Sequence, residues 1–239
     1  MRNHNLYILL LAITLISCGE KNPMNSTVKH RGALMNLMSG NLEATASLDS
    51  LETLPHLYAL GALEHLEGEI QIFDGTSYVS KTGADQHVNI MSDFNHKAAL
   101  LVYAQVEQWN NEIALESFND HKNLEKQIKD HAIQKGVDIT QPFPFLIKGT
   151  VSNLNWHVIQ WPAGDMVHSH KKHRESGAHG VLENEEVEIL GFYSEKHKAV
   201  FTHHTTFLHM HFKTDNKSII AGHVDGVTGE NLTLYLPQL

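Results

Sequence analysis

The 239-residue sequence predicts an α+β fold in two layers, and two observations lead to this prediction. Short apolar segments of strand length, several with alternating polarity, recur through the chain. Among them lies one long amphipathic segment with helical periodicity. The composition, with 41% hydrophobic and 19% charged residues, excludes a disordered chain and a coiled coil.

The first 30 residues carry the features of an export signal followed by a tether. Arg2 precedes an apolar run at residues 6–16, which has the length of a signal-peptide hydrophobic region and is too short to cross a bilayer. The run leads into Leu-Ile-Ser-Cys, which resembles the lipobox of bacterial lipoproteins, whose cysteine (here Cys18) is lipidated. The alternative is an ordinary secretory signal with a chance cysteine. We expect a signal peptide at 1–17, a polar tether at 18–30, a domain at 31–239 and a lipid-anchored location in the bacterial cell envelope.

The first half of the domain is expected to mix short helices with strands. A short helix is predicted around residues 33–38, and a second helical stretch at residues 48–54 ends at Pro55. Residues 69–73 alternate like a half-buried strand and are followed by an Asp-Gly hairpin signal. Residues 98–106 form a continuous apolar run that suits a buried strand.

The second half is predicted to contain one amphipathic helix and then only strands. The helix covers residues 120–135, with Asp120 as its cap and Gly136 at its end. Its apolar face is formed by Leu124, Ile128 and Ala132. Strands are expected at residues 145–151, 156–161, 187–193, 205–213, 218–224 and 231–236.

Charge and histidine content narrow the function. The chain contains 18 basic and 27 acidic residues, and its formal charge of −9 makes nucleic acid an unsuitable partner. The single cysteine excludes a Cys-rich zinc site. The 19 histidines outnumber the lysines and arginines together, and a metal site is therefore the first hypothesis.

Three histidines have the spacing of a metal site on a β-hairpin. His209 and His211 share one face of a predicted strand, and His223 follows beyond a turn. For His223 to face the other two, the hairpin loop must contain an odd number of residues or the hairpin must carry a bulge. Three imidazoles with open positions are typical of a catalytic metal centre. The alternative is that these histidines are structural or exposed.

A second group of histidines lies in polar sequence. Its members are His168, His170, His173 and His179 in the segment HSHKKHRESGAH, with His203 and His204 just before the metal strand. Such spacing is compatible with a second metal site, but solvated side chains are the usual state of a polar loop.

Several motifs together resemble the α-acetolactate decarboxylase family. HMHF…AGHV is similar to the family's HLHF…GGHV metal motif, and the segments GALMNLMSGNLEATASLDSL, LYALGALEHLEGEIQIFDG, GTVSNLNW and VEILGFYS also align with it, so that the resemblance covers residues 31–236. It implies a two-domain fold with large mixed or antiparallel sheets, a homodimer and Zn²⁺ held by three histidines. It further implies decarboxylation of 2-acetolactate, or a related 2-hydroxy-3-oxo acid, to acetoin.

Residue by residue, the resemblance gives His209, His211 and His223 as zinc ligands and Glu69 as the first active-site glutamate. An exposed strand residue is the alternative for Glu69. The family's substrate-binding arginine aligns with His157, which can bind a carboxylate when it is protonated. The family's second active-site glutamate has no counterpart in the sequence, which reaches Leu239 just before that position. Two functions therefore stay open: a zinc-dependent carboxy-lyase, and a non-catalytic metal-binding envelope lipoprotein on the same fold.

Overall fold

Two antiparallel sheets, one from each half of the chain, form the protein. The structure is a computed structural model that describes residues 27–83, 85–110 and 112–238. The first sheet has the order β1-β8-β3-β4-β6-β7, with β2 on β8 and β5 on β4. Its strands are β1 (Lys29–Arg31), β2 (Ala46–Ser47), β3 (Leu57–Leu63), β4 (Glu69–Phe73), β5 (Thr76–Ser77), β6 (Val79–Thr82), β7 (Val88–Met91) and β8 (Lys97–Gln105).

The second sheet contains two long strands that organise the shorter ones. Its members are β9 (Ile113–Ala114), β10 (Phe143–Val158), β11 (Ala178–Tyr193), β12 (Leu208–Thr214), β13 (Ala221–Gly229) and β14 (Thr233–Tyr235). The order is β11-β12-β13-β10-β14-β9, and β11 also pairs with β10. The pairings among β10, β11, β12 and β13 therefore form a closed circuit.

Helices are few and short. They are α1 (Leu34–Met38), α2 (His121–Gln134) and α3 (His170–Glu175), with 3₁₀ turns at Leu48–Leu51 and Glu64–Leu66. The prediction for α2 is confirmed: Asp120 accepts the Asn123 N–H at 2.8 Å, and Gly136 follows the helix with a φ of +81°. Within the described residues, no helix combines the length and apolarity that a membrane span requires. The predicted signal peptide and Cys18 lie outside the described residues.

Four predictions about elements need correction. The stretch at 48–54 is a four-residue 3₁₀ turn, and residues 57–63, for which no strand was predicted, form the fully buried β3. The strands predicted at 145–151 and 156–161 are one strand, because exposed Asn153 and Asn155 interrupt its apolar pattern without interrupting its pairing. β11 begins at Ala178 rather than Val187. Its first half was not predicted as a strand because it carries outward-facing acidic residues. The described residues also include β1, which begins inside the predicted tether and pairs with β8.

The core between the two sheets positions the site. Leu60, Leu100 and Val102 of the first sheet pack there with Leu190 and Phe192 of the second. On the opposite side of the second sheet, a separate core contains the buried face of α2 together with Leu208, Met210 and Phe212, which alternate with the two histidines of β12 as predicted. The histidines of β12 therefore point towards the first sheet.

Candidate metal centre and active-site cavity

The hairpin of β12 and β13 brings the three predicted metal ligands together. His211 lies directly opposite His223, and the last pair, Lys213 with Ala221, leaves an odd number of seven residues between its members. His209 lies two residues before His211 and shares its face of the strand. The ligand nitrogens of the three rings lie within 4.8 Å of one another. The arrangement has the parity that the sequence required.

The donor geometry of this histidine triad fits a divalent transition metal. The Nε2 atoms of His209 and His211 lie 3.3 Å apart. Metal–nitrogen bonds of about 2.0–2.1 Å at a tetrahedral angle separate two ligand nitrogens by about 3.3 Å. Burial, followed by the neighbouring histidines, lowers the pKa of both His209 and His211 well below the usual value. The rings are therefore neutral near pH 7, the state in which imidazole binds a metal.

Gln71 of β4 holds the central ring of the triad from the other sheet. Its Oε1 lies 2.8 Å from Nδ1 of His211 and accepts that N–H, which leaves Nε2 free for a metal. Its Nε2 donates to the Ser80 hydroxyl at 2.9 Å and to the Tyr78 carbonyl at 2.7 Å, so the amide orientation is fixed. The sequence analysis missed Gln71, although its position two residues after Glu69 on a predicted strand was a usable signal.

Glu69 lies at the base of the site and is buried, which excludes the alternative of an exposed strand residue. Its Oε1 accepts the Ile159 N–H at 3.4 Å and lies 3.6 Å from Nε2 of His157. Its Oε2 lies 3.9 Å from Nε2 of His211. Burial raises the pKa of Glu69 well above the usual value, and the Ile159 hydrogen bond offsets part of this shift.

His157 joins the triad through cross-strand pairing. It lies opposite His223 on β10, and the two ring centroids are 4.7 Å apart. Its Nδ1 lies 3.0 Å from each carboxylate oxygen of Asp225. Burial lowers the pKa of His157 in spite of this hydrogen bond. The ring is therefore neutral near pH 7 in this environment, and capture of a carboxylate by protonated His157 stays a prediction.

Asp225 is a second site residue that the sequence analysis missed. On β10 the residues Asn155 and Trp156 pair with Gly226 and Val224, so Asp225 is the extra residue of a β-bulge. A bulge re-aims a side chain, and here the carboxylate faces His157. Burial raises the pKa of Asp225, but the hydrogen bond from His157 and the proximity of His223, whose Nδ1 lies 3.6 Å from the carboxylate, outweigh burial and hold it below its usual range.

His209, His223, Glu69, His157 and Asp225 line one cavity of about 510 Å³, whereas His211 and Gln71 are fully buried beside it. Such a volume suits a small organic ligand. Its walls include apolar side chains such as Leu34, Leu66 and Ile159, whereas its cations among the described residues are Arg174 of α3 and Lys122 of α2. The cavity therefore combines a metal-ligand set, a buried carboxyl and a positive charge.

The remaining predicted histidines have separate surroundings. His168 stacks on Trp161 with centroids 4.4 Å apart, and it hydrogen-bonds buried His173 at 2.8 Å, so these two rings pack around the indole. His179 is exposed on β11. His170, His203 and His204 form a cluster of their own near the cavity entrance.

Comparison with solved structures identifies the fold as that of the acetolactate decarboxylases. The alpha-acetolactate decarboxylase of Bacillus subtilis strain 168 superimposes with a TM-score of 0.71 at 13% identity, covering 90% of this chain and 86% of that one. The acetolactate decarboxylase of B. subtilis subspecies spizizenii gives 0.71 at 15% identity, covering 90% and 87%. A Staphylococcus aureus protein of unknown function, described as similar to alpha-acetolactate decarboxylase, gives 0.70 at 18% identity, covering 89% and 86%.

The sequence itself carries the family assignment. The family profile of alpha-acetolactate decarboxylase matches residues 30–239, which include the whole of the predicted domain. A search of the curated proteins finds no match. The chain belongs to the alpha-acetolactate decarboxylase family.

Proposed function

We propose that the protein is a zinc-dependent carboxy-lyase that converts 2-acetolactate, or a related 2-hydroxy-3-oxo acid, to acetoin and CO₂. One observation carries the proposal: two histidines of the triad, His209 and His223, line a single cavity of small-molecule size together with the buried Glu69 carboxyl, which lies 3.9 Å from the third, His211. Family membership supports the same reaction class.

His209, His211 and His223 would hold the zinc ion, and the ion would supply Lewis-acid stabilisation of the negative charge that develops on the substrate oxygens. The chain's own contribution is to hold the rings of His209 and His211 neutral and to orient all three rings. Gln71 does this for His211, and the position of His223 opposite His211 fixes the third ring. These contacts make the metal site rigid before substrate arrives.

Glu69 is the group best placed to deliver a proton. When CO₂ leaves the substrate, the bonding electron pair moves into the adjacent carbonyl, and the carbon that lost CO₂ must then gain a proton to give acetoin. The Glu69 carboxyl faces both His211 and His157 at the base of the cavity. Asp225 fixes the orientation of His157, so that His157 positions the carboxyl that exchanges the proton.

Capture of the substrate carboxylate falls to Arg174 in this proposal. Arg174 lines the cavity and is close enough to His157 to contribute to the lowered pKa of that ring. A guanidinium can bind a carboxylate through two parallel hydrogen bonds. Arg174 would therefore do from α3 what the family arginine, replaced here by His157, does from the strand.

The decisive test is to incubate the zinc-loaded protein with racemic acetolactate and to measure acetoin and CO₂ together. Wild type should release both in equal amounts. Glu69→Gln should retain zinc but lose about 10²–10⁴-fold in kcat, because it keeps the shape of the side chain and removes its acidic proton. Unchanged turnover in Glu69→Gln, or no acetoin from zinc-loaded wild type, would contradict the proposal.

We further propose that the protein is anchored to the bacterial cell envelope through a lipid on Cys18 and acts there as a homodimer. The lipobox-like sequence before Cys18 supports the anchor. The family resemblance supports the dimer. In this arrangement the membrane is contacted through the lipid alone.

A further inference from the structure

A second group of imidazoles lies at the entrance of the cavity, apart from the histidine triad. His170 is the first residue of α3, and His203 and His204 lie in the loop before β12. Ring nitrogens of the three lie within 4.8 Å of one another. The centroids of His170 and His203 are 3.8 Å apart, and those of His203 and His204 are 4.2 Å apart. We call this group the entrance cluster.

The backbone that carries the entrance cluster is fixed on both sides. Glu125 of α2 accepts the Thr206 hydroxyl at 2.6 Å and the Phe207 N–H at 2.7 Å, which ties the loop to the helix. Ser169 caps α3 by accepting the Lys172 N–H at 3.2 Å. The three rings are therefore brought together by structured backbone on two separate segments.

The chemistry within the cluster is that of neutral ligands. Among the described residues, no carboxylate hydrogen-bonds to any of the three rings. Burial and then the proximity of His170 lower the pKa of His203 to about 4. Nδ1 of His203 accepts the Thr205 backbone N–H at 3.3 Å and lies 2.7 Å from the Thr205 hydroxyl, so Thr205 fixes the ring with its Nε2 directed at His170.

We propose that His170, His203 and His204 form a second metal site, specific for a borderline divalent transition metal such as Zn²⁺, Co²⁺, Ni²⁺ or Cu²⁺. Three nitrogen donors without oxygen ligands favour these ions over Ca²⁺ and Mg²⁺. The Nε2 atoms of His170 and His203 lie 2.6 Å apart and must separate to about 3.3 Å around an ion. His170 is exposed and can make this adjustment by side-chain rotation. His170 and His203 also line the cavity, so the ion would sit where ligands enter.

The test is a titration of the metal-free full-length protein with Co²⁺, followed through its visible absorption bands. Wild type should bind about two equivalents. His203→Ala/His204→Ala should lose one equivalent and keep the other. His87→Ala/His131→Ala removes two imidazoles that belong to neither group, and this control should still bind about two.

A further variant separates this inference from the proposed function. His209→Ala/His223→Ala disables the triad and should retain the equivalent bound by the entrance cluster, whether or not the protein is a decarboxylase. His170→Ala provides an independent removal of the cluster from α3. The inference is overturned if wild type binds a single equivalent, or if the second equivalent persists in both His170→Ala and His203→Ala/His204→Ala.

Discussion

At the residue scale, the hydrogen bond between Gln71 and His211 connects the two sheets at the site. Its amide oxygen fixes the tautomer of His211, the most deeply buried of the three triad rings. A ligand that is free to change tautomer or to rotate binds a metal less well, because the ordering must then be supplied by binding itself.

We expect Gln71→Met, which is similar in shape but lacks the acceptor, to weaken zinc binding by about 10- to 100-fold. Competition with a chelator of known affinity measures the change. Gln105→Met is the matched control, since the Gln105 side chain donates to the Pro55 carbonyl at the end of β8 and its loss should leave the affinity unchanged. Equal affinity in wild type and Gln71→Met would show that the hydrogen bond does not orient the ligand.

Arg174 supplies the second prediction at this scale. Arg174→Ala should raise KM for acetolactate about tenfold with little change in kcat, because it removes a contact to the non-reacting charge of the carboxylate. Arg174→Lys keeps the charge without the bidentate geometry and should give an intermediate KM. Steady-state kinetics on these variants and on Lys122→Ala, the other cavity cation, distinguish them. A KM that rises in Lys122→Ala and not in Arg174→Ala would move the carboxylate site to α2.

The residues of the site differ in how readily the sequence predicts them. His209, His211 and His223 follow from strand periodicity and loop parity, which are local rules. Asp225 enters the site through a bulge, and Gln71 enters it through packing between sheets. A bulge position leaves no periodic pattern in the chain, so Asp225 could not be predicted. Gln71 shares the strand face of Glu69, but nothing in the sequence shows that this face contacts His211 of the other sheet.

At the scale of elements, close packing between neighbouring strands restricts which residues fit in the second sheet. Gly191 of β11 lies between Phe145 of β10 and Met210 of β12 in register. A Cβ atom at Gly191 would lie 2.1 Å from the Phe145 ring, which is fully buried. Glycine is therefore required here by space.

Gly191→Ala should lower the free energy of unfolding by about 1–3 kcal/mol, the usual cost of overpacking a core. Urea denaturation measures this loss. Gly226→Ala on β13 is the control, because its Cβ would make only an ordinary contact of 3.6 Å with Asn155. If Gly191→Ala matched wild type in stability, the Phe145 ring would have to move aside without cost.

The elements also show where sequence patterns fail. α2 was predicted almost to the residue because its cap, apolar face and terminal glycine all agree. No strand was predicted for β3, although its seven-residue apolar run is of the same kind as the run that predicted the buried strand at residues 98–106. The start of β11 was missed because its exposed acidic residues resemble a loop in composition while their backbone pairs with β10.

At the scale of the whole molecule, each of the two sheets contributes part of the site. The triad, His157 and Asp225 belong to the second sheet, whereas Glu69 and Gln71 belong to the first. Composition and periodicity alone predicted only the α+β class. The family resemblance predicted the particular fold, although the solved structures with that fold are only 13–18% identical to this chain. The relative placement of the sheets could not be predicted from patterns within either half.

The prediction at this scale concerns attachment of the protein to the cell. Cys18→Ser should abolish labelling by a fatty-acid analogue and release the protein into the soluble fraction, because stable anchoring needs the several acyl chains that a lipobox cysteine receives. Metabolic labelling with cell fractionation tests this. Membrane retention of Cys18→Ser after its signal has been cleaved would argue for a different mode of attachment.

The hydrogen bond from His211 to Gln71 makes an ion at the triad a cross-link between the halves of the chain. An ion that binds only the folded protein adds about 2.7 kcal/mol to its stability at a free concentration roughly 100 times Kd. Since the ligand ring is held by the opposite sheet, this gain stabilises the docking of the sheets as well as the hairpin. Metal removal should therefore loosen the whole assembly, and slow hydrogen exchange in β4, which contributes no ligand, should become faster.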